Sequence, residues 1–193
     1  MSRRLLIALL VALVGLGSPW LASAKDMSEK EKNEKRAELR KTADATLQDL
    51  YRIQPEAKTA ISKAAGYAVF SNFGMKIFLA GGGQGQGIAV DKKSGKTTYM
   101  KMAEVQAGLG LGVKKFRLVW VFKNRSDLDT FMNSGWEMGA QANLTAQSGD
   151  QGGGLAGAVS VKPGVYLYQL TDDGLAAEIT VKGTKYYKNA DLN

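Results

Sequence analysis

Two short stretches bring together residue types that can do chemistry at an anionic surface. Lys114, Lys115 and Arg117 place three cations within four positions, and Lys182, Lys185, Tyr186, Tyr187 and Lys188 interleave cations with aromatic rings further on. Ammonium and guanidinium groups neutralise lipid phosphate, while a tyrosine ring rests at headgroup depth with its hydroxyl in water. These eight residues are the candidate lipid contacts. An ordinary solvated surface carries the same residue types, and single-stranded nucleic acid also calls for cations beside exposed rings. The clusters therefore need their context before they select a partner.

Much other chemistry is missing from the chain. Its 193 residues contain no His and no Cys, which removes thiol and imidazole nucleophiles, the commonest proton shuttle and zinc sites built on nitrogen or sulfur. Asp127 with Asp129 reads as charge in the first turn of a helix, and Asp172 with Asp173 reads as a turn. Neither Ser62-Lys63 nor Ser94-Gly95-Lys96 has the S-x-x-K spacing of a serine acylase. No enzymatic activity is expected, and no cofactor or metal is assigned.

Three glycine-rich stretches imitate nucleotide sites. Gly152, Gly154 and Gly157 satisfy G-x-G-x-x-G with Asp172 at the ribose offset, but polar Gln147 to Gln151 leads in where a strand is required, and Pro163-Gly164 stops any following helix. Gly95-Lys96-Thr97 looks like a hairpin tip. Gly81 to Gly87 enters a strand instead of leaving one, the wrong polarity for cradling phosphate, and reads as sheet construction.

The elements that must position these residues fall into two compositional blocks. Lys25 to Lys63 has no Gly, carries 10 basic and 8 acidic residues and is rich in helix formers. Leu39, Ala43, Leu47, Leu50 and Ile53 give it one apolar stripe, whereas Lys25 to Glu38 is nearly all charge and is expected to fray or project into water. Pro55 opens a second helix, Glu56 to Ala65, with Gly66 as its stop. From Gly66 to Gly183 the chain holds 21 glycines between short alternating runs, which predicts strands and turns.

Strands are expected at Tyr67 to Phe70, Ile77 to Ala80, Gly85 to Val90, Thr97 to Met102, Val105 to Val113, Phe116 to Lys123, Trp136 to Thr145, Val165 to Leu170 and Leu175 to Lys182. Hairpin turns fall at Asp91 to Lys96 and Thr171 to Gly174. In Val105 to Val113 one face is nearly bare, with Gly108, Gly110 and Gly112. It suggests close packing by another layer or a smooth groove for an acyl chain. One helix interrupts the strands, with Ser126 as N-cap and Leu128, Phe131 and Met132 pointing inward. The predicted fold class is α+β: a curved antiparallel sheet, sandwich or partial barrel, with the N-terminal helices and one intervening helix packed on it. An outer-membrane barrel is the alternative.

Residues 1 to 24 read as a signal peptide: Arg3 and Arg4, then 13 mostly apolar residues from Leu5 to Gly17, then Ala22-Ser23-Ala24 for cleavage. The apolar run is short of the roughly 20 residues that cross a bilayer, and no Cys follows it for lipid attachment. A soluble product in the periplasm or outside the cell is expected. Losing Arg3 and Arg4 lowers the formal charge from +8 to +6, and a basic exported protein meets anionic lipid or acidic polymers more readily than nucleic acid.

Taken in order, Ala57 to Gly66, Tyr67-Ala68-Val69-Phe70, the Gly81 to Gly87 run into Ile88-Ala89-Val90, Gly108 to Gly112, Leu118-Val119-Trp120-Val121-Phe122, Gly139-Ala140-Gln141-Ala142 and Gly174 to Gly183 resemble the SYLF domain family, which includes yeast actin-patch relatives. The resemblance spans Ala57 to Ala190, and divides the chain into the leader, a charged helical segment at 25–55 and a glycine-rich domain at 56–193. It implies a lipid-binding module, linked in eukaryotic members to phosphoinositide membranes and in some to actin. Ala65 stands where members often carry Lys, Ser71 where they carry Pro, and Gln169 to Gly174 reverses the charge of a basic turn. The expectation is accordingly a secreted or periplasmic module that associates peripherally with an anionic lipid or membrane surface, with no nucleic-acid partner. The alternative is a structural or protein–protein interaction module of the bacterial cell envelope.

Overall fold

A computed structural model describes residues 27–77, 80–107, 112–138, 155–172, 174–176 and 183–193. The expected leader, the segment 139–154 with Gly152 and Gly154, and Lys182 lie outside them. Helix α1 runs Glu29–Ile53 and α2 Glu56–Lys63. Strands β1 (Gly66–Ile77), β2 (Ala80–Asp91), β3 (Thr97–Ala107) and β4 (Gly112–Phe122) follow, then α3 (Arg125–Asn133) and β5 (Trp136–Met138). The chain continues with β6 (Val159–Lys162), β7 (Val165–Thr171), β8 (Gly174–Leu175), β9 (Thr184–Lys188) and a single 3-10 turn, Ala190–Leu192.

All strands join one antiparallel sheet in the order β5-β9-β3-β2-β1-β4-β7-β6, with β8 added to β7. The sheet is strongly curled into a half-barrel, and the α+β expectation holds in its partial-barrel form. Helices cover both faces. Leu39, Ala43, Leu47 and Leu50 of α1 and Ala57 and Ile61 of α2 pack with Val69, Ile88, Val119, Val121 and Tyr168 on one side. Leu128, Phe131 and Met132 of α3 pack with Phe70, Met100, Trp120, Phe122 and Leu167 on the other. A lipid-facing barrel would instead present an apolar band on its outer wall.

Local chemistry explains the element ends. Ser28 and Glu31 form a reciprocal capping box at the start of α1, and Lys32–Glu29 and Lys35–Glu38 pairs at 3.0 and 2.8 Å line the next turns. The charged turns are thus helical and capped, although they do project into solvent, and fraying from Glu29 onward is not what the structure shows. Ile53, placed on the apolar stripe, is exposed at the helix end. Gly66 does not stop α2, which ends at Lys63. It opens β1, where a Cβ would fall 2.3 Å from the Val90 carbonyl oxygen and 2.5 Å from Leu128. The N-cap position of helix α3 is Asn124, two residues before the expected Ser126, with no side-chain capping hydrogen bond, and Leu128, Phe131 and Met132 are buried as expected.

Several strand expectations need correction. Of the strand expected from Ile77 to Ala80, Ile77 ends β1 and pairs with Ala80 at the start of β2, and residues 78–79 lie outside the described residues. Of the strand expected from Val105 to Val113, Val105 to Ala107 end β3 and Gly112 and Val113 open β4, on opposite sides of that hairpin in the strand order, while 108–111 lie outside the described residues. Strands β6 and β9 were not anticipated. The tip at Asp91 to Lys96 is a hairpin, with Gly95 at φ 70° and its N–H donating to the Asp91 carbonyl at 2.8 Å. Beside it, the buried Asp91 carboxylate accepts from both terminal nitrogens of Arg125, at 2.9 and 2.7 Å, and from Ser94 at 2.5 Å. This pairing fixes α3 against the hairpin.

Within Gly81 to Gly87, two glycines have a visible packing role. A Cβ on Gly87 would lie 2.1 Å from the Val69 carbonyl oxygen and 2.7 Å from the Phe70 ring, and one on Gly85 would lie 2.5 Å from the Met102 side chain. The missing side chains are the space into which the large residues of β1 and β3 lean.

Candidate functional site

Antiparallel partners share a face, so the registers sort the candidate residues. On β4, Lys115 and Arg117 alternate with buried Phe116 and Leu118 and share the α1 side with Val119. On β9, Lys185 pairs with Ala103 and Tyr187 with Lys101 on that same side. Tyr186 pairs with Met102 on the other side and is fully buried, its ring 5.0 Å from Phe70, 5.3 Å from Trp120 and 5.5 Å from Phe131. It is a core residue and not a surface contact, which corrects its place among the lipid candidates. Its hydroxyl is pushed far above its ordinary range by burial. Lys188 is exposed and stands opposite Met100, on the α3 side. Lys114 pairs with Gly74 through its backbone, and its side chain lies outside the described set, as does Lys182.

The structure thus brings members of both sequence clusters to one face. Reading across the strands, Tyr187, Lys101, Gln86, Ser71, Arg117 and Leu170 are consecutive register partners from β9 to β7. They form a single transverse row. One row inward lie Tyr99, Ile88, Val69, Val119 and Tyr168, all buried beneath α1. One row outward lie Lys185, Ala103, Gln84 and, beyond β1, Lys115. Polarity rises from apolar under the helix to cationic at the rim.

Between this row and the overhanging side chains of α1 there is an open cleft of about 810 Å³. Lys35, Glu38, Leu39 and Thr42 form its helical wall, and Ser71, Gln86, Lys101 and Arg117 form its floor. Arg117 donates to Asp49 at 2.6 Å and Lys101 pairs with Asp191 at 2.9 Å. Their hydrogen bonds hold the Asp49 and Asp191 carboxyls below the usual carboxylate range, with Arg52 adding to the effect on Asp49. Lys115 makes no ion pair among the described residues. Gln86 has its Oε1 buried with no hydrogen-bond partner. No group of three or more acidic side chains poised for a metal occurs among the described residues, and none of their helices is long and apolar enough to cross a membrane.

Sequence reasoning missed Lys101, Gln84, Gln86 and Ser71. Their signal was the alternation of Gln84 and Gln86 with Gly83, Gly85 and Gly87, which marks one polar and one bare face of β2.

The family model described as "Ysc84: Las17-binding protein actin regulator" matches residues 103–193, from the end of β3 through β9. A relative, beta cell expansion factor A of Aeromonas veronii, is 34% identical over 178 residues, covering 90% of this chain and 66% of its own length. Residues 103–193 of the chain match the SYLF domain family. The resemblance drawn from Ala57 to Ala190 is upheld by the family model from residue 103 onward, and the relative's alignment extends over the earlier part. The SYLF match contains Lys115, Arg117, Lys185 and Tyr187 but not α1, whereas an alignment of 178 residues is too long to leave α1 out. Lipid binding and actin regulation are properties of SYLF relatives.

Proposed function

We propose that this protein is an exported, peripheral lipid-binding module that meets anionic lipid from the α1 side of its sheet, in the periplasm or outside the cell. The observation that carries the reading is the convergence of Lys101, Lys115, Arg117 and Lys185 with Tyr187 on one face, from strands far apart in sequence. Cations spread over a partly apolar rim attract lipid phosphate while Tyr187, more than a third exposed, supplies an amphipathic ring. The signal-like leader and the net positive charge support the compartment and the sign of the partner. The reading assigns no bond-making step and no cofactor.

Cosedimentation of the purified chain with vesicles tests it. Binding to vesicles rich in phosphatidylglycerol that falls several-fold between low and high salt is expected; equal partitioning into phosphatidylcholine vesicles, or none into either, removes the electrostatic reading. Cell fractionation tests the compartment, and retention in the cytosol overturns it.

A second reading is a protein-interaction module of the cell envelope, favoured by the family description, which names a protein partner. Reproducible crosslinking to one envelope protein by a chain that ignores vesicles selects it.

A further inference from the structure

The cleft between α1 and the sheet has features that flat association with a bilayer does not use. Its floor is a polar row with cations at the two ends: Lys101 and Arg117, with Gln86 and Ser71 between them. Three strand spacings separate those ends, about 14 Å. A hydrocarbon chain laid along this row would strip water from Ser71, Gln86 and Gln84 and return no hydrogen bonds, at a cost per group that outweighs the apolar area gained. A hydroxyl-rich ligand would satisfy them instead.

The charges sharpen the choice. Arg117 spends one terminal nitrogen on Asp49, and Lys101 spends one hydrogen bond on Asp191. Guanidinium and ammonium groups carry five and three donors respectively, so each has donors left for an anionic ligand, and Lys115 adds an exposed cation at the rim. Glu38 and Asp172 also line the opening. They repel a ligand that carries only negative charge but accept hydrogen bonds from hydroxyls. Tyr187, at one end of the row, offers a ring face of the kind on which sugars stack. The volume of about 810 Å³ lies in the ordinary range of small-molecule sites, roughly 300–1,000 Å³.

We propose that this cleft binds a short acidic oligosaccharide, extended across the strands with its anionic groups toward Lys101 and Arg117 and its hydroxyls on Gln86 and Ser71. The site goes beyond the lipid reading and does not depend on it.

Isothermal titration of the purified full chain with trigalacturonate tests the proposal, with maltotriose and inorganic phosphate as comparison ligands. Trigalacturonate is expected to bind at least tenfold more tightly than maltotriose, and phosphate alone not to compete at equal concentration. Ser71→Trp, which fills the middle of the floor, should lower trigalacturonate affinity at least tenfold while Ser71→Ala lowers it less than threefold. Both variants should keep the thermal transition of the parent. Should Ser71→Trp melt early, backbone amide shifts of Ser71, Gln86 and Lys101 on titrating the parent with trigalacturonate replace it. Equal affinity for the neutral trisaccharide, no heat at millimolar trigalacturonate, undiminished affinity in a folded Ser71→Trp chain, or shifts elsewhere on the protein each overturn the proposal. Because vesicle binding is measured separately, its failure would leave this result standing.

Discussion

The two faces of the sheet are built on opposite plans. On the α3 side, Phe70, Trp120, Phe122, Phe131, Trp136 and Tyr186 pack edge-on, tilted or, for Trp120 with Phe122, stacked, with ring centroids 5.0 to 6.3 Å apart, and Gly87 on β2 clears the room that Phe70 needs. On the α1 side, the helix covers the apolar rows with small and aliphatic residues and then overhangs a polar row it does not fill. Dense aromatic packing makes the first face a source of stability, since each ring removes a large apolar area from water. The second gives up part of that burial and keeps a cleft. The same strands thus carry the aromatic core on alternate residues and the floor of the cleft on the residues between.

Substitutions on the two sides should therefore differ sharply. Trp120→Ala, on the aromatic side, is expected to cost about 3–5 kcal/mol in urea unfolding, as for other buried aromatics cut to Ala; a loss below 1 kcal/mol would mean that face is not the principal core. Gly87→Ala on the same side is expected to cost about 1–3 kcal/mol, because the added methyl meets the Val69 carbonyl and must push strands apart.

A third test sits where the faces are joined. The Arg125 guanidinium and the Ser94 hydroxyl hold the Asp91 carboxyl well below the usual carboxylate range. With the folded value below an unfolded value of about 3.9, the stability it supplies is fully present above that pH and is lost as pH falls through the folded value. Asp91→Asn should accordingly be destabilised most at neutral pH, and its deficit against the parent should narrow below about pH 4. A deficit independent of pH in chemical denaturation rejects the ion pair as its cause. The smallest effect belongs to the cleft rim: Tyr187→Ala and Lys115→Ala should each change unfolding free energy by no more than about 0.5 kcal/mol. Any larger loss would show that the rim is scaffold after all.

The sequence made the elements legible where one face alone was buried. Phe116, Leu118, Trp120 and Phe122 alternate because β4 has a packed face there, and Leu39, Ala43, Leu47 and Leu50 repeat because α1 has one stripe against the sheet. Val105 to Val113 misled because alternation continues through a strand end, and period alone does not mark where the chain leaves one strand for another. Val159 to Lys162 gives little strand signal beside Pro163-Gly164, and in Thr184 to Lys188 two lysines and two tyrosines hide that Tyr186 turns inward. The cleft was not legible at all. It depends on Ser71, Gln86, Lys101 and Arg117 reaching one register row, a relation set by pairing between distant strands and absent from any local window.

The pairing of β9 with β3 sets Tyr186 against Met102 across more than eighty intervening residues. Closure over so long a loop is entropically late, whereas the β1–β2 and β2–β3 hairpins are local and form early. During that interval the rings of Phe70 and Trp120 lack their last covering partner and are sticky toward other chains. Refolding yield should accordingly fall as protein concentration rises, through self-association of an intermediate in which β9 has not yet paired with β3.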